Sequence, residues 1–233
     1  MILARGTASI AVWHFSLKVP APLPSFEKPW EAAIAATGEA CRFLSKLSLL
    51  TYPIEVESFF GVGPTYPPSQ TRSVAAESDL AASLTALAAA GGYVAGDLRV
   101  DGRAEVHGVH ASRLLDDVVR LKCVVAGFDT YLSLSTRSDI WMPYNLMAQS
   151  QWEVAELNAP RLRAALEAIE QIVGKPGYAE DSRFAKVDGY ELRNHIVRGD
   201  VLDLQDMGYD ESWIADRWPE PDPPDPPPGP AGA

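Results

Sequence analysis

Val119-Arg120-Leu121-Lys122-Cys123-Val124-Val125 sets apolar side chains against charged ones with a period of two. Successive side chains of a strand point to opposite faces, so Val119, Leu121, Cys123 and Val125 are expected in a core while Arg120 and Lys122 meet solvent. A sheet with one wet face is characteristically antiparallel. The alternation returns after Gly127-Phe128-Asp129, where Leu132 and Leu134 point one way and Tyr131, Ser133 and Ser135 the other. Upstream, Val100-Asp101-Gly102-Arg103 holds an Asp-Gly pair, favoured in tight hairpins because both positions tolerate positive φ, and it predicts a turn there. Tyr93 to Tyr144 therefore reads as an antiparallel meander.

Outward from the meander the period changes to that of helices. Trp141, Tyr144 and Trp152, grouped around Met142-Pro143, close the sheet and are expected to pack beneath the following helix rather than line a pocket. In that helix Asn158 is the expected cap and Pro160 lies in the first turn. Leu162, Leu166, Ile169 and Val173 line one face, and Gly174 with Pro176 ends it. Two earlier helices are predicted. One runs from Pro29 to about Leu47, with Ile34, Cys41 and Leu44 on one face and Gly38 weakening it by roughly 1 kcal/mol relative to Ala. The other is capped by Ser78 or Asp79, buries Leu80, Leu84, Leu87 and Ala88, and stops at Gly91-Gly92.

Residues 8–17 alternate with apolar groups on both sides, which predicts an interior strand, and residues 48–60 predict a second strand broken at Pro53. Gly61 to Ala76 reads as one long loop and marks a soft division near residues 61–76 of a single domain spanning 1–218. Past Gly177 the pattern supports a short strand between His195 and Leu204 and a short helix from Asp210 to Arg217. Residues 219–233 are too poor in apolar groups to offset chain ordering, so a disordered, extended Pro-rich tail is expected. The fold class is α+β: a mostly antiparallel sheet of five to seven strands with about three helices packed on one face.

The chain has 233 residues, 47% apolar and 22% charged, the composition of a globular protein with a sizeable core. Its 31 acidic against 20 basic residues give −11, which leaves no field to draw in nucleic-acid phosphates or an anionic membrane. No stretch approaches the ~18 apolar residues of a membrane span, and Met1 to Ile10 lacks an uninterrupted apolar run, so a cytoplasmic location is expected. Cys41 and Cys123 belong to no metal or redox spacing and read as free core thiols.

Candidate chemistry is sparse. His107-Gly108-Val109-His110, followed by Asp117, is the nearest approach to a metal set. Two His at i and i+3 share a face only on a helix, and Gly108 with Val109 argue for strand or loop, where the imidazoles diverge. A metal-assisted hydrolase built on His107, His110 and Asp117 is the alternative reading. Gly61-Val62-Gly63 has Tyr66 at the third glycine position of a dinucleotide loop, and Pro64, Pro67 and Pro68 forbid the helix that should follow. Neither a phosphate-cradling Gly-Lys-Ser/Thr loop nor a GxSxG elbow occurs. The expectation is a non-catalytic protein with no cofactor and no bound metal.

Asp200, Asp203, Asp206 and Asp210 lack the spacing of a calcium loop. They stand instead among Tyr209, Glu211, Trp213 and Trp218, and large aromatics ringed by charge are the usual anchors of protein interfaces. Those eight residues form the predicted docking set for a protein partner. In this general character, acidic, α+β, without a catalytic signature and with acidic and aromatic clusters, the chain resembles the immunity proteins that neutralise bacterial polymorphic toxins. Its Ala-rich, Arg-over-Lys composition is similar to that of high-GC bacteria. The resemblance implies a cytoplasmic binder that occludes the basic active cleft of a toxin domain, with the −11 charge serving steering and complementarity. It implies neither nucleic acid nor membrane as a direct partner.

Overall fold

The computed structural model describes residues 9–18, 27–60, 68–126 and 129–210. In chain order its elements are β1 (Ala11–Ser16), α1 (Glu27–Lys46), β2 (Thr51–Phe60), β3 (Gln70–Val74), α2 (Leu80–Ala90), β4 (Gly96–His107), β5 (Ser112–Val125), β6 (Tyr131–Thr136) and α3 (Trp152–Val173). Four short strands follow: β7 (Lys186–Asp188), β8 (Glu191–Arg193), β9 (Ile196–Val197) and β10 (Asp200–Val201). The first six strands form one sheet in the order β1-β6-β5-β4-β2-β3, every neighbouring pair antiparallel. The pairs β7–β8 and β9–β10 are separate two-stranded ribbons. This is an α+β fold, with the sheet wet on one face and covered by α1, α2 and α3 on the other.

The alternation in β5 decides which face is which. Val119, Leu121, Cys123 and Val125 are buried, and register carries that face across Leu132 and Leu134 of β6 to Trp13 and Phe15 of β1, and across Leu98 and Val100 of β4 to Val56 of β2. On the opposite face the charged residues pair across strands: Arg99 with Glu57 at 3.5 Å, Lys122 with Asp97 at 2.7 Å and Arg120 with Asp101 at 2.5 Å. Against the buried face α1 lays a stripe of mostly small groups, Ala33, Thr37, Ala40 and Cys41, so helix and sheet approach closely; Ile34 is only partly buried. Nothing lies within 4 Å of a Cβ built at Gly38. Helix α2 buries the expected Leu80, Leu84, Leu87 and Ala88. It starts without a side-chain cap, because a 3-10 turn over Glu77–Asp79 leads into it and Ser78 Oγ donates to the Asp79 carboxylate.

Several sequence expectations change. No hairpin turns at Asp101-Gly102: β4 runs straight through, its register with β5 shifting between Asp101 and Arg103, and the chain reverses at residues 108–111 instead. A Cβ on Gly102 would meet Leu50 Cδ1 at 2.7 Å and Ile54 Cγ2 at 3.0 Å, so the glycine serves a close approach rather than a turn. Strand β1 lies at the sheet edge, paired in the sheet with β6 alone. The apolar Ile10 that suggested a second buried side precedes the strand, while His14 and Ser16 are exposed. That edge is blunted by a two-bond bridge, His14 N donating to Tyr178 O at 2.8 Å and Tyr178 N to His14 O at 2.9 Å. Within Gly61 to Ala76, residues 61–67 lie outside the described residues, and Gln70–Val74 is the edge strand β3, whose single buried side chain, Val74, left no hydrophobic pattern. The break near Pro53 appears as a register shift between Thr51 and Glu55 of β2.

Helix α3 begins at Trp152, six residues before Asn158, and Asn158 is not its cap. Fully buried, Asn158 accepts from His107 N at 3.1 Å and donates to His107 O at 2.7 Å, closing the end of β4 as a strand neighbour would. Pro160 consequently falls in the helix interior, where it forfeits the bond its amide would have given the Glu156 carbonyl. Between residues 195 and 204 the expected strand is the β9–β10 ribbon. The predicted helix from Asp210 to Arg217 and the tail from Pro219 lie outside the described residues, apart from Asp210 itself.

Candidate binding cleft

One face of α3 carries Trp152, Glu156, Ala159, Pro160, Arg163 and Glu167, spaced in steps of three and four so that all look outward together. Ala155 and Ala159 are too small to fill the space beside that face, and the β7–β8 ribbon stands across from it. The result is a cleft of about 840 Å³. Its floor includes Trp141 and Leu162; its far wall is Tyr190, Leu192, Asn194 and Ile196; Trp152 and Tyr144 sit at one end. Most of this lining is apolar, the usual makeup of a binding cleft. Charges stand at its rim, Arg163 pairing with Glu191, and Arg193 with Asp188 at 2.8 Å.

The walls are held from behind by hydrogen bonds that are partly or wholly buried. Trp13, on β1, donates its indole N–H to Gly189 O at 2.8 Å, pinning the β7–β8 turn to the core. The Tyr190 hydroxyl donates to Glu170 Oε2 at 2.7 Å and accepts from Gly177 N at 2.8 Å, tying the ribbon to α3 and the turn after it. Burial, with the Glu170 carboxylate adding, pushes the Tyr190 phenol up to about 12, so it stays protonated as a donor. Asn194 donates to Tyr144 O at 2.8 Å and accepts from Tyr144 N at 3.1 Å. Trp141 is buried, its indole N–H donating to Thr136 Oγ1 at 2.6 Å. Trp152, in edge contact with Tyr144 at 6.1 Å between centroids, remains 52% exposed.

The aromatic trio expected beneath the helix therefore divides. Trp141 is packed as foreseen, whereas Trp152 belongs to the helix itself and faces the cleft with Tyr144. The helical spacing from Trp152 to Glu167 was the available signal, hidden because the helix was expected to begin at Asn158.

Five residues of the predicted docking set are described, and one of them, Asp200, belongs to a ribbon that adjoins the cleft. Asp200, exposed, pairs with Val197 in the β9–β10 ribbon, whose Ile196 lines the cleft. Asp203 and Asp206 serve one turn: Asp206 N donates to Asp203 Oδ1 at 2.8 Å and Asp203 N to Asp206 Oδ2 at 3.2 Å. Tyr209 stacks on Phe184 at 5.6 Å with the Arg183 guanidinium 5.7 Å from its ring centre, and Asp210 is exposed. Glu211, Trp213 and Trp218 lie outside the described residues.

His107, His110 and Asp117 are not brought together. His107 Nδ1 is 2.8 Å from Ser112 Oγ, and His110 is exposed in the turn beyond it. Asp117, in a left-handed conformation at φ 61°, pairs with Arg120 and Arg137, each at 3.4 Å. Since His107 faces Ser112 in the register, Asp117 lies five residues farther along β5, about 17 Å at ~3.4 Å per residue. Among the described residues no group of three or more His, Cys, Asp or Glu is placed to hold a metal ion. The metal site is thus not assembled from these three, because the hairpin that separates them is extended.

No family model, curated protein or solved structure matches the chain. No helix among the described residues is long and apolar enough to cross a membrane.

Proposed function

We propose that this chain is a non-catalytic protein-binding protein, of the kind that neutralises a toxin domain by covering its basic active cleft. The observation that carries the reading is the run of exposed apolar groups beside acid: Trp152 at 52%, Ile196 at 58% and Val197 at 50% exposure, continued by Asp200 on the adjoining strand. Half-exposed indole and aliphatic side chains around a hollow supply the desolvated centre of an interface, and the carboxylates supply its steering rim. The predicted acidic surface is kept in this reading, with its centre moved to the mouth of the cleft. The net charge of −11 favours a basic partner, and the immunity-type role rests on that charge and on the general resemblance described above.

The test uses the stoichiometric partner captured from the native host, with its affinity for the purified full chain measured by titration calorimetry and by association kinetics. Trp152→Ala should weaken binding by at least about 30-fold, the scale of a ~2 kcal/mol interface hot spot, with an unchanged melting temperature. Asp200→Lys should slow association and flatten its dependence on salt. A partner whose affinity ignores both substitutions would rule out this surface.

A further inference from the structure

The occupant best matched to the cleft is present in the chain itself. From Pro219 to Pro230 eight of twelve residues are proline, with Glu220, Asp222 and Asp225 between them. Proline-rich segments favour a polyproline II helix, whose free carbonyls and rigid ridges dock between aromatic rings at little entropic cost. The cleft offers such rings, Tyr144 and Trp152 at one end and Tyr190 in the far wall, over the buried Trp141, and the Trp152 indole is half exposed at its mouth. Arg163, Lys186 and Arg193 line the same cleft beside Glu156, Glu167 and Glu191; both arginines are already paired, Arg163 with Glu191 and Arg193 with Asp188 and Glu191, so Lys186 is the cation the three acids meet most directly.

The segment also lies within reach of the cleft. The last described residue, Asp210, follows Tyr209, whose ring stacks on Phe184, two residues before the β7 strand that carries the cleft residue Lys186. The chain therefore leaves the described structure beside one wall of the cleft. Nine residues from Asp210 to Pro219 can extend about 30 Å at ~3.3 Å each, ample to bring the first prolines to the rings. Short tethering also raises the local concentration to roughly millimolar, so a contact too weak to matter between molecules is occupied within one.

We infer that the cleft between α3 and the β7–β8 ribbon is the docking site of this chain's own proline-rich segment, residues 219–230. A partner taking the cleft must then displace that segment, which makes it a built-in competitor. The inference goes beyond the binding role and needs no partner for its test.

The experiment labels the full chain with 5-fluorotryptophan and attaches a nitroxide at Ala231→Cys. The native thiols, fully buried with pKa values pushed up to about 12, are left unlabelled in the folded protein. Trp152 is assigned through its missing fluorine resonance in Trp152→Phe, and Trp30, buried with its indole donating to Val94 O, is the internal reference. The expected result is loss of the Trp152 resonance relative to Trp30, unchanged when unlabelled chain is added in excess. The resonance should return when Pro223, Pro224, Pro226 and Pro227 are all replaced by Ser. An intact Trp152 resonance in the spin-labelled chain overturns the inference. So does a loss abolished by excess unlabelled chain, which would assign the occupant to a second copy, or a loss that survives the serine replacements, which would remove proline recognition as its cause.

Discussion

A glycine that any sequence reading would give to a turn, Gly102, sits instead where Leu50 and Ile54 press on the backbone of β4. Its Cβ would lie 2.7 Å from the Leu50 methyl, close enough that the neighbour must move. Gly102→Ala should therefore lower the unfolding free energy by about 1–3 kcal/mol, the usual cost of overfilling a packed site, despite the better strand propensity of alanine. Urea denaturation measures it, and an unchanged midpoint would refute the close-approach argument. Two asparagines give a parallel lesson. Asn158 and Asn194 each pair with both the N–H and the C=O of a distant residue, His107 and Tyr144, doing for those backbones what a neighbouring strand would do. An amide side chain carries one acceptor and two donors, so the fit was chemically available to either residue. Its partner was not, because the two ends of each pair are 51 and 50 residues apart.

At the scale of the element, α3 is the organiser. Arg161 donates to Leu47 O at 2.7 Å, just past the end of α1, to Glu105 O at 2.8 Å on β4, and to Asn158 Oδ1 at 3.0 Å. Burial pulls the Arg161 guanidinium below its ordinary value, with the Glu105 carboxylate opposing the shift. One guanidinium and one amide thus lock helix, turn and strand into a shared network, and such members couple. Asn158→Ala should cost about 1–3 kcal/mol, since it strands both backbone groups of His107. Combined with Arg161→Met, the loss should fall short of the sum by at least ~0.5 kcal/mol. A double-mutant cycle by denaturation checks this, and strict additivity would dissolve the network. The same helix presents its opposite face to the cleft, so the anchoring of one side fixes the geometry of the other.

For the whole molecule, one hydrophobic cluster runs from Ile10 of the first described segment to Leu204 near the last. Cys41 in α1 and Cys123 in β5 lie in it, wholly buried, and desolvation pushes both thiols up to about 12. At pH 8 neither is a thiolate, and neither can react without opening. Dithionitrobenzoate should label both at one common rate, equal to that of global unfolding under the same conditions. Rates differing tenfold or more would mean that α1 and the central sheet open as separate units.

Period-two and helical patterns along short stretches determined the α+β class, the core of the antiparallel sheet and its helices, though not β3, since side-chain direction in a strand or helix is a local property. Val119 to Val125, Leu132 to Leu134 and Leu80 to Ala88 needed no knowledge of their neighbours. Only the tertiary structure decided that β1 is an edge, that Gly102 is a contact, that Asn158 is a bridge, and that Trp152 opens onto a hollow. Each of those depends on what another segment, tens of residues away, places against the same atom. The cleft is the extreme case: α3 supplies one wall and the β7–β8 ribbon the other, and an empty space between two elements has no residues of its own to be read.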